Sequence, residues 1–112
     1  MPVSFKDQVA IVTGAGGGLG RSHALMLARH GAAVVVNDFG GGRDGSGGNT
    51  EASEAVVREI TAEGGRAIAN AGNVTSEADM AAMVEQTLSA FGRIDVLINN
   101  AGFDHVVIAS GI

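Results

Sequence analysis

Two groups of residues in this chain have the types and spacing to do chemistry. The first is Thr13-Gly14-Ala15-Gly16-Gly17-Gly18-Leu19-Gly20, where five of eight positions are glycine. A diphosphate lies against backbone N–H groups at a helix N-terminus, where the helix dipole favours negative charge, and side chains would hold it away. Such a site needs glycine at the tight turn, at the closest approach and where helix packs on strand. Gly14, Gly18 and Gly20 are placed for these demands. A glycine run alone is equally the mark of a flexible loop. The second group is Asp38, 18 residues after Gly20. A carboxylate there can accept both ribose hydroxyl hydrogens of an adenosine and would repel a 2′-phosphate. Ala15, Gly16 and Gly17 supply no basic residue. Together these features predict a dinucleotide site, for NAD rather than NADP.

The elements that must position these residues can be read along the chain. Val9-Ala10-Ile11-Val12 is a continuous apolar run ending at Thr13-Gly14, the pattern of a buried strand. Arg21 to His30 is rich in helix formers, and Gly31 is placed to end that helix in the left-handed region. Ala32 to Asn37 predicts a second buried strand, closed by Asp38. Gly40 to Asn49 has six glycines in ten positions and no apolar residue, which predicts a mobile surface loop. Thr50 to Glu63 predicts a helix with Ala52, Val56 and Ile60 on one face, ended by Gly64-Gly65, and Arg66 to Asn70 a short third strand. Ser76 and Asp79 have the spacing of a capping box. Met80, Met83, Val84, Thr87, Leu88 and Phe91 then form a stripe of helical period, stopped by Gly92. Ile94 to Asn99 is a fourth strand. Apolar strands alternating with helices predict an α/β, Rossmann-like parallel sheet with helices on both faces and right-handed crossovers.

Bulk composition narrows the function classes. At 112 residues the chain is one small domain. A net charge of −5, with Lys6 the only lysine and the arginines scattered, argues against nucleic-acid or anionic-membrane binding. There is no cysteine for a disulfide, a zinc site or a thiol nucleophile. His23 and His30 lack a carboxylate or cysteine partner at ligand spacing, so no metal site is expected. No apolar run is long enough to span a membrane, and residues 1–7 lack the apolar core of a signal peptide. A cytoplasmic location fits these observations.

Thr-Gly-x-x-x-Gly-x-Gly, joined to Asn99-Asn100-Ala101-Gly102 after the fourth strand, resembles the short-chain dehydrogenase/reductase family over residues 5 to about 103. Val36-Asn37-Asp38-Phe39-Gly40-Gly41 with its glycine-rich insert, Gly20-Arg21 and Phe91-Gly92-Arg93-Ile94-Asp95 look like the 3-hydroxyacyl-CoA dehydrogenase unit of peroxisomal-type multifunctional enzymes and their bacterial relatives. The resemblance implies that Gly14, Gly18, Leu19 and Gly20 line the diphosphate and that Asp38 holds the adenosine ribose. It places Asn73 and Val74 beside the adenine, although many relatives have Asp at the first position. Asn100, Ala101 and Gly102 would approach the cofactor riboses, while Asn99 would tie neighbouring strands together. The implied reaction is hydride transfer between NAD and a secondary alcohol or ketone.

That chemistry requires a tyrosine acid/base and a lysine four residues later, beside a serine and an asparagine. This chain has no tyrosine, and its lysine is at position 6. The expectation is therefore an N-terminal, NAD-binding portion at residues 1–112, with no catalytic residue of its own. The alternatives are a non-catalytic nucleotide-binding module or a dimerising fragment. Relatives of this kind form homo-oligomers, and a substrate would be a partner only with the missing half present.

The tail, Phe103-Asp104-His105-Val106-Val107-Ile108-Ala109-Ser110-Gly111-Ile112, is read as an irregular terminus, with His105 solvated and Ser110 not catalytic. A strand resembling the family's fifth is the alternative. With a strand order of 3-2-1-4, the fourth strand would be an open, apolar edge at Val96, Leu97 and Ile98, prone to association.

Overall fold

The computed structural model describes residues 4–40 and 50–100 in full, and the backbone of residues 105–108. The elements are β1 (Val9–Thr13), α1 (Gly18–Arg29), β2 (Ala33–Asn37), α2 (Glu51–Ala62), β3 (Arg66–Asn70), α3 (Glu77–Phe91), β4 (Val96–Asn99) and β5 (His105–Ile108). One sheet holds them in the order β3-β2-β1-β4-β5. The first four strands are parallel, in the predicted order 3-2-1-4.

Alternation along each strand divides the core into two layers. Ala10 and Val12 of β1, Val34 and Val36 of β2, and Val96 and Ile98 of β4 face α1 and α2, meeting Ala24, Leu25, Leu27, Val56 and Ile60. Ile11 and Val35 face the other way, toward Met83 of α3 and Ile94, with Leu97 packed beside them. The crossovers β1–β2 and β2–β3 extend the sheet in one direction. The β3–β4 crossover returns past both strands, so a right-handed connection puts α3 on the opposite face.

The α3 stripe lies on a helix that Gly92 ends, as expected, and the two-layer division decides how much of it is covered. Met83 and Thr87 are buried, but Val84 and Leu88 are exposed. A single helix covers this face among the described residues; Met80 and Phe91 pack against its core, while Val84 and Leu88, two of the six stripe residues, stay exposed. In α2 the buried positions are Ser53, Val56 and Ile60, not Ala52. Ser53 Oγ donates to the Thr50 carbonyl, while Ala52 turns toward the glycine run. The start of α1 is also earlier than predicted. Gly18, Leu19 and Gly20 form its first turn, and Gly31 ends it at φ 104° as expected.

The tail was expected to be irregular, and that reading is corrected: residues 105–108 are a strand. It is antiparallel to β4, with Val96 opposite Ile108 and Asn99 opposite His105. Only residues 100–104 separate the two strands. A parallel fifth strand needs a crossover of roughly a dozen residues or more, so a short return can give only an antiparallel pair. The open edge expected at Val96, Leu97 and Ile98 is therefore paired. Ala109, Ser110 and the loop predicted from Gly40 onward, after Gly40 itself, lie outside the described residues.

At the other end of the strands, Asp95 joins β1 to β4. Its Oδ2 accepts the Val9 N–H at 2.8 Å, and its own N–H donates to the Val9 carbonyl at 2.8 Å. Arg93 grips the same carboxylate through Nε and a terminal nitrogen. The Arg93 hydrogen bonds are the main reason that the Asp95 carboxyl is held below its ordinary value, and the Val9 N–H adds to them against the effect of burial. A lowered carboxyl stabilises the fold above the unfolded-state value, and that contribution disappears as pH falls through the folded one. Asp95→Asn should cost about 1.5–3 kcal/mol at neutral pH. Denaturant unfolding at neutral and acid pH should show the gap between variant and parent closing as the parent carboxyl protonates.

Candidate nucleotide-binding site

The predicted site residues that the structure describes gather at the carboxyl ends of β1, β2, β3 and β4. Here the sheet grows outward in both directions from β1, the crevice where open α/β sheets bind ligands. Gly14 leaves β1 at φ 62° and Gly18 opens α1 at φ 56°, conformations that suit glycine. Gly20 is demanded by space. A Cβ there would lie 2.1 Å from the Gly14 carbonyl oxygen and 2.9 Å from Asn100 Nδ2. The first turn of α1 thus presses directly on the end of β1. Leu19, in the same turn, is exposed.

The N-terminus of α1 differs from those of the other helices. Gly17 is its N-cap, with no side-chain cap and no acidic residue in the first turn. By contrast, α2 begins with Glu51 and Glu54, and Ser76 caps α3 ahead of Glu77 and Asp79. Carboxylates offset the dipole of the latter two; α1 keeps its positive end toward the crevice. A Cβ at Gly17 or Gly18 would meet no atom of the described residues within 4 Å, so among them the space before the loop is open.

Thr13 links the glycine run to the Asn99-Asn100 motif. Its Oγ1 donates to Asn99 Oδ1 at 3.0 Å and accepts the Asn100 N–H at 3.0 Å. Asn100 Nδ2 reaches the Gly14 carbonyl at 3.5 Å. Asn99 accordingly ties β4 to β1, as anticipated, and Asn100 sits against the turn. Ala101 and Gly102 lie outside the described residues.

Asp38 stands at the end of β2 facing the glycine run. Oδ2 accepts the Gly16 N–H at 2.9 Å, and Oδ1 accepts the Gly40 N–H at 2.8 Å. The two βα loops are joined a second time by Ala15 N–H donating to the Asn37 carbonyl. Behind them Asn37, buried, donates from Nδ2 to Asn70 Oδ1 at 2.7 Å and to the Gly72 carbonyl at 3.0 Å. Asn70 then engages Gln86, whose Nε2 donates to the carbonyl of Ala69 on the outer strand β3.

The network ends at Asn73 and Val74. Asn73 Oδ1 accepts from both the N–H and hydroxyl of Thr75, and the Asn73 N–H donates to Asp79. Ser76 caps the Asp79 N–H as the capping box predicts, but the Asp79 carboxylate reaches back to Asn73. Val74 lines an apolar groove of about 270 Å³ with Ile11, Met80, Met83, Val84 and Leu97. Thr13, Asn37 and Asn70 had no predicted role. The available signal was a polar residue closing each strand. No group of three His, Asp or Glu side chains among the described residues could hold a metal ion. Nor is any helix among them long and apolar enough to cross a membrane.

Residues 8–111 match the family described as short chain dehydrogenase. The chain belongs to this family. Among its relatives, the peroxisomal hydratase-dehydrogenase-epimerase of Saccharomyces cerevisiae is 52% identical over 100 residues, covering 89% of this chain and 11% of the yeast protein. A short chain dehydrogenase from Mycobacterium avium superposes with a TM-score of 0.76 at 51% identity, covering 88% of this chain and 34% of its own. A 7α-hydroxysteroid dehydrogenase solved with NADH and 7-oxo glycochenodeoxycholic acid has a TM-score of 0.79 at 36% identity, over 91% of this chain and 36% of its own. The chain thus spans about a third or less of the length of these proteins.

Proposed function

We propose that residues 1–112 are the NAD-binding portion of a short chain dehydrogenase domain. The observation that carries this reading is the Asp38 carboxylate, hydrogen-bonded to Gly16 across the mouth of a glycine turn that opens an uncapped helix. In this reading Gly14, Gly18, Leu19 and Gly20 hold the diphosphate. Asp38 binds the adenosine ribose and disfavours a 2′-phosphate. Asn73 and Val74 flank the adenine, and Asn100, with Ala101 and Gly102, borders the remaining ribose. The open space beside Gly17 and Gly18 among the described residues and the N-terminus of α1, with no side-chain cap and no acidic residue in its first turn, both suit a diphosphate.

When bound, NAD would supply the hydride acceptor. The residues of this chain bind and orient it but offer no tyrosine to move the substrate proton, so these 112 residues are expected to bind without turnover. For a longer protein containing them, oxidation of a secondary alcohol is the fitting reaction. Candidate substrates include a 3-hydroxyacyl-CoA, in keeping with the dehydrogenase named in the yeast relative. The NADH-bound steroid dehydrogenase supports a nicotinamide cofactor.

Calorimetric titration of the chain with NAD⁺ and NADP⁺ tests the proposal. Saturable NAD⁺ binding with much weaker NADP⁺ binding is the expected result. Equal affinities would remove the role given to Asp38, and no binding of either would overturn the reading.

A further inference from the structure

We infer that Gly16 sets the choice of cofactor indirectly, by leaving room for Asp38 to be clamped against the loop; the inference rests on the nucleotide-binding reading above. Gly16 is not among the glycines with positive φ, so its backbone does not require glycine. Its surroundings do. A Cβ at position 16 would lie 2.7 Å from Asp38 Oδ2 and 2.7 Å from the Cβ of Ala52 in the first turn of α2. The Gly16 N–H donates to that same Oδ2. The missing side chain and the hydrogen bond therefore act together. One leaves space for the carboxylate, and the other fills it.

The remaining acceptor capacity of Asp38 gives this contact its consequence. An ionised carboxylate has about four lone-pair sites on its two oxygens. The N–H groups of Gly16 and Gly40 each use one, on different oxygens. One acceptor site is left on each oxygen, the requirement for receiving two neighbouring hydroxyls of a ribose. Held at both oxygens, the carboxylate cannot swing aside for a 2′-phosphate without breaking two hydrogen bonds. Gly16 is thus a positioning residue. It touches no cofactor atom through a side chain, yet it fixes the direction from which Asp38 meets the sugar.

Three variants and two readouts test the inference. Gly16→Ala should weaken NAD⁺ binding about tenfold, as expected for one displaced charge-assisted hydrogen bond, and leave NADP⁺ binding unchanged. Asp38→Ser should bind NAD⁺ weakly as well. In the Gly16→Ala/Asp38→Ser protein the alanine should add a much smaller loss, because the carboxylate through which it acts is gone and only the contact with Ala52 remains. Equal loss of both cofactors in Gly16→Ala, or an undiminished loss in the Asp38→Ser background, would mean that the alanine merely distorts the loop and would overturn the inference. The second readout needs no cofactor. Amide hydrogen exchange of the free chain should show the Gly16 N–H protected, and Asp38→Ser should remove the protection. An unprotected Gly16 N–H in the parent chain would overturn the inference by itself. Failure of the parent chain to bind either cofactor would instead overturn the nucleotide-binding reading, and the amide result tells the two failures apart.

Discussion

Gly20→Ala should destabilise the protein and abolish NAD⁺ binding. The added methyl would sit 2.1 Å from the Gly14 carbonyl oxygen and 2.8 Å from its carbon. These are backbone atoms of the turn that ends β1, so no rotamer change relieves the overlap. Either α1 moves away from the strand or the turn opens, and both displace the N–H groups assigned to the diphosphate. Overpacking costs typically about 1–3 kcal/mol, and contact with main chain places this variant at the upper end or beyond. Gly17→Ala is the control. A Cβ at position 17 meets nothing within 4 Å among the described residues, and its φ of −170° is open to any residue. Thermal unfolding of the two variants should separate sharply, with Gly17→Ala close to the parent. A Gly20→Ala protein that binds NAD⁺ like the parent would refute the close packing of helix on strand as the basis of the site.

The second large effect belongs to Thr13→Val. The substitution nearly conserves volume but removes a hydroxyl that is 2% exposed at the residue level, donates to Asn99 and accepts from Asn100. Each buried polar group deprived of such a hydrogen bond costs about 1–3 kcal/mol, so a total near 3 kcal/mol is expected. Thr13→Ser keeps the hydroxyl and should recover most of that loss in denaturant unfolding. The defect should also reach the site, since Asn100 is held against Gly14 by the same junction. Near-parental stability of Thr13→Val would show that β4 is held by its ladder alone.

The sheet was legible because its four parallel strands are short apolar runs separated by helices, and the return from β3 to β4 follows from the family pattern. Periodicity also located α3, yet it could not tell which part of the stripe would be covered. Burial of Val84 and Leu88 depends on a second element over that face, and no pattern within α3 encodes its neighbours. The start of α1 was hidden for a local reason: Gly18 and Gly20 have low helix propensity and enter the helix because the turn needs them there. The direction of β5 is geometrically forced by the short 100–104 return once a strand forms, whereas the choice between strand and irregular tail was not settled by Val106-Val107-Ile108.

The candidate site was partly legible in the same sense. Spacing pointed to the glycines and Asp38, and the family resemblance to Asn100. Spacing gave no sign that Asp38 would meet Gly16 or that Thr13 would serve both asparagines, because these contacts join residues 22 and 86 or more positions apart.

That last separation has a consequence for how the protein comes into being. The crevice is assembled from residues far apart in sequence: Thr13 closes β1, and Asn100, 87 positions later, follows β4, the last of the four parallel strands. Contacts so distant in sequence are slow to form, since the entropy of closing the intervening chain precedes any reward. The β1–β2–β3 layer can pair as it emerges, but the seat beside Gly14 exists only after β4 has docked on the far side of β1. In refolding experiments, nucleotide-binding capacity should therefore lag behind helix content, making the ligand a reporter of the final long-range docking step.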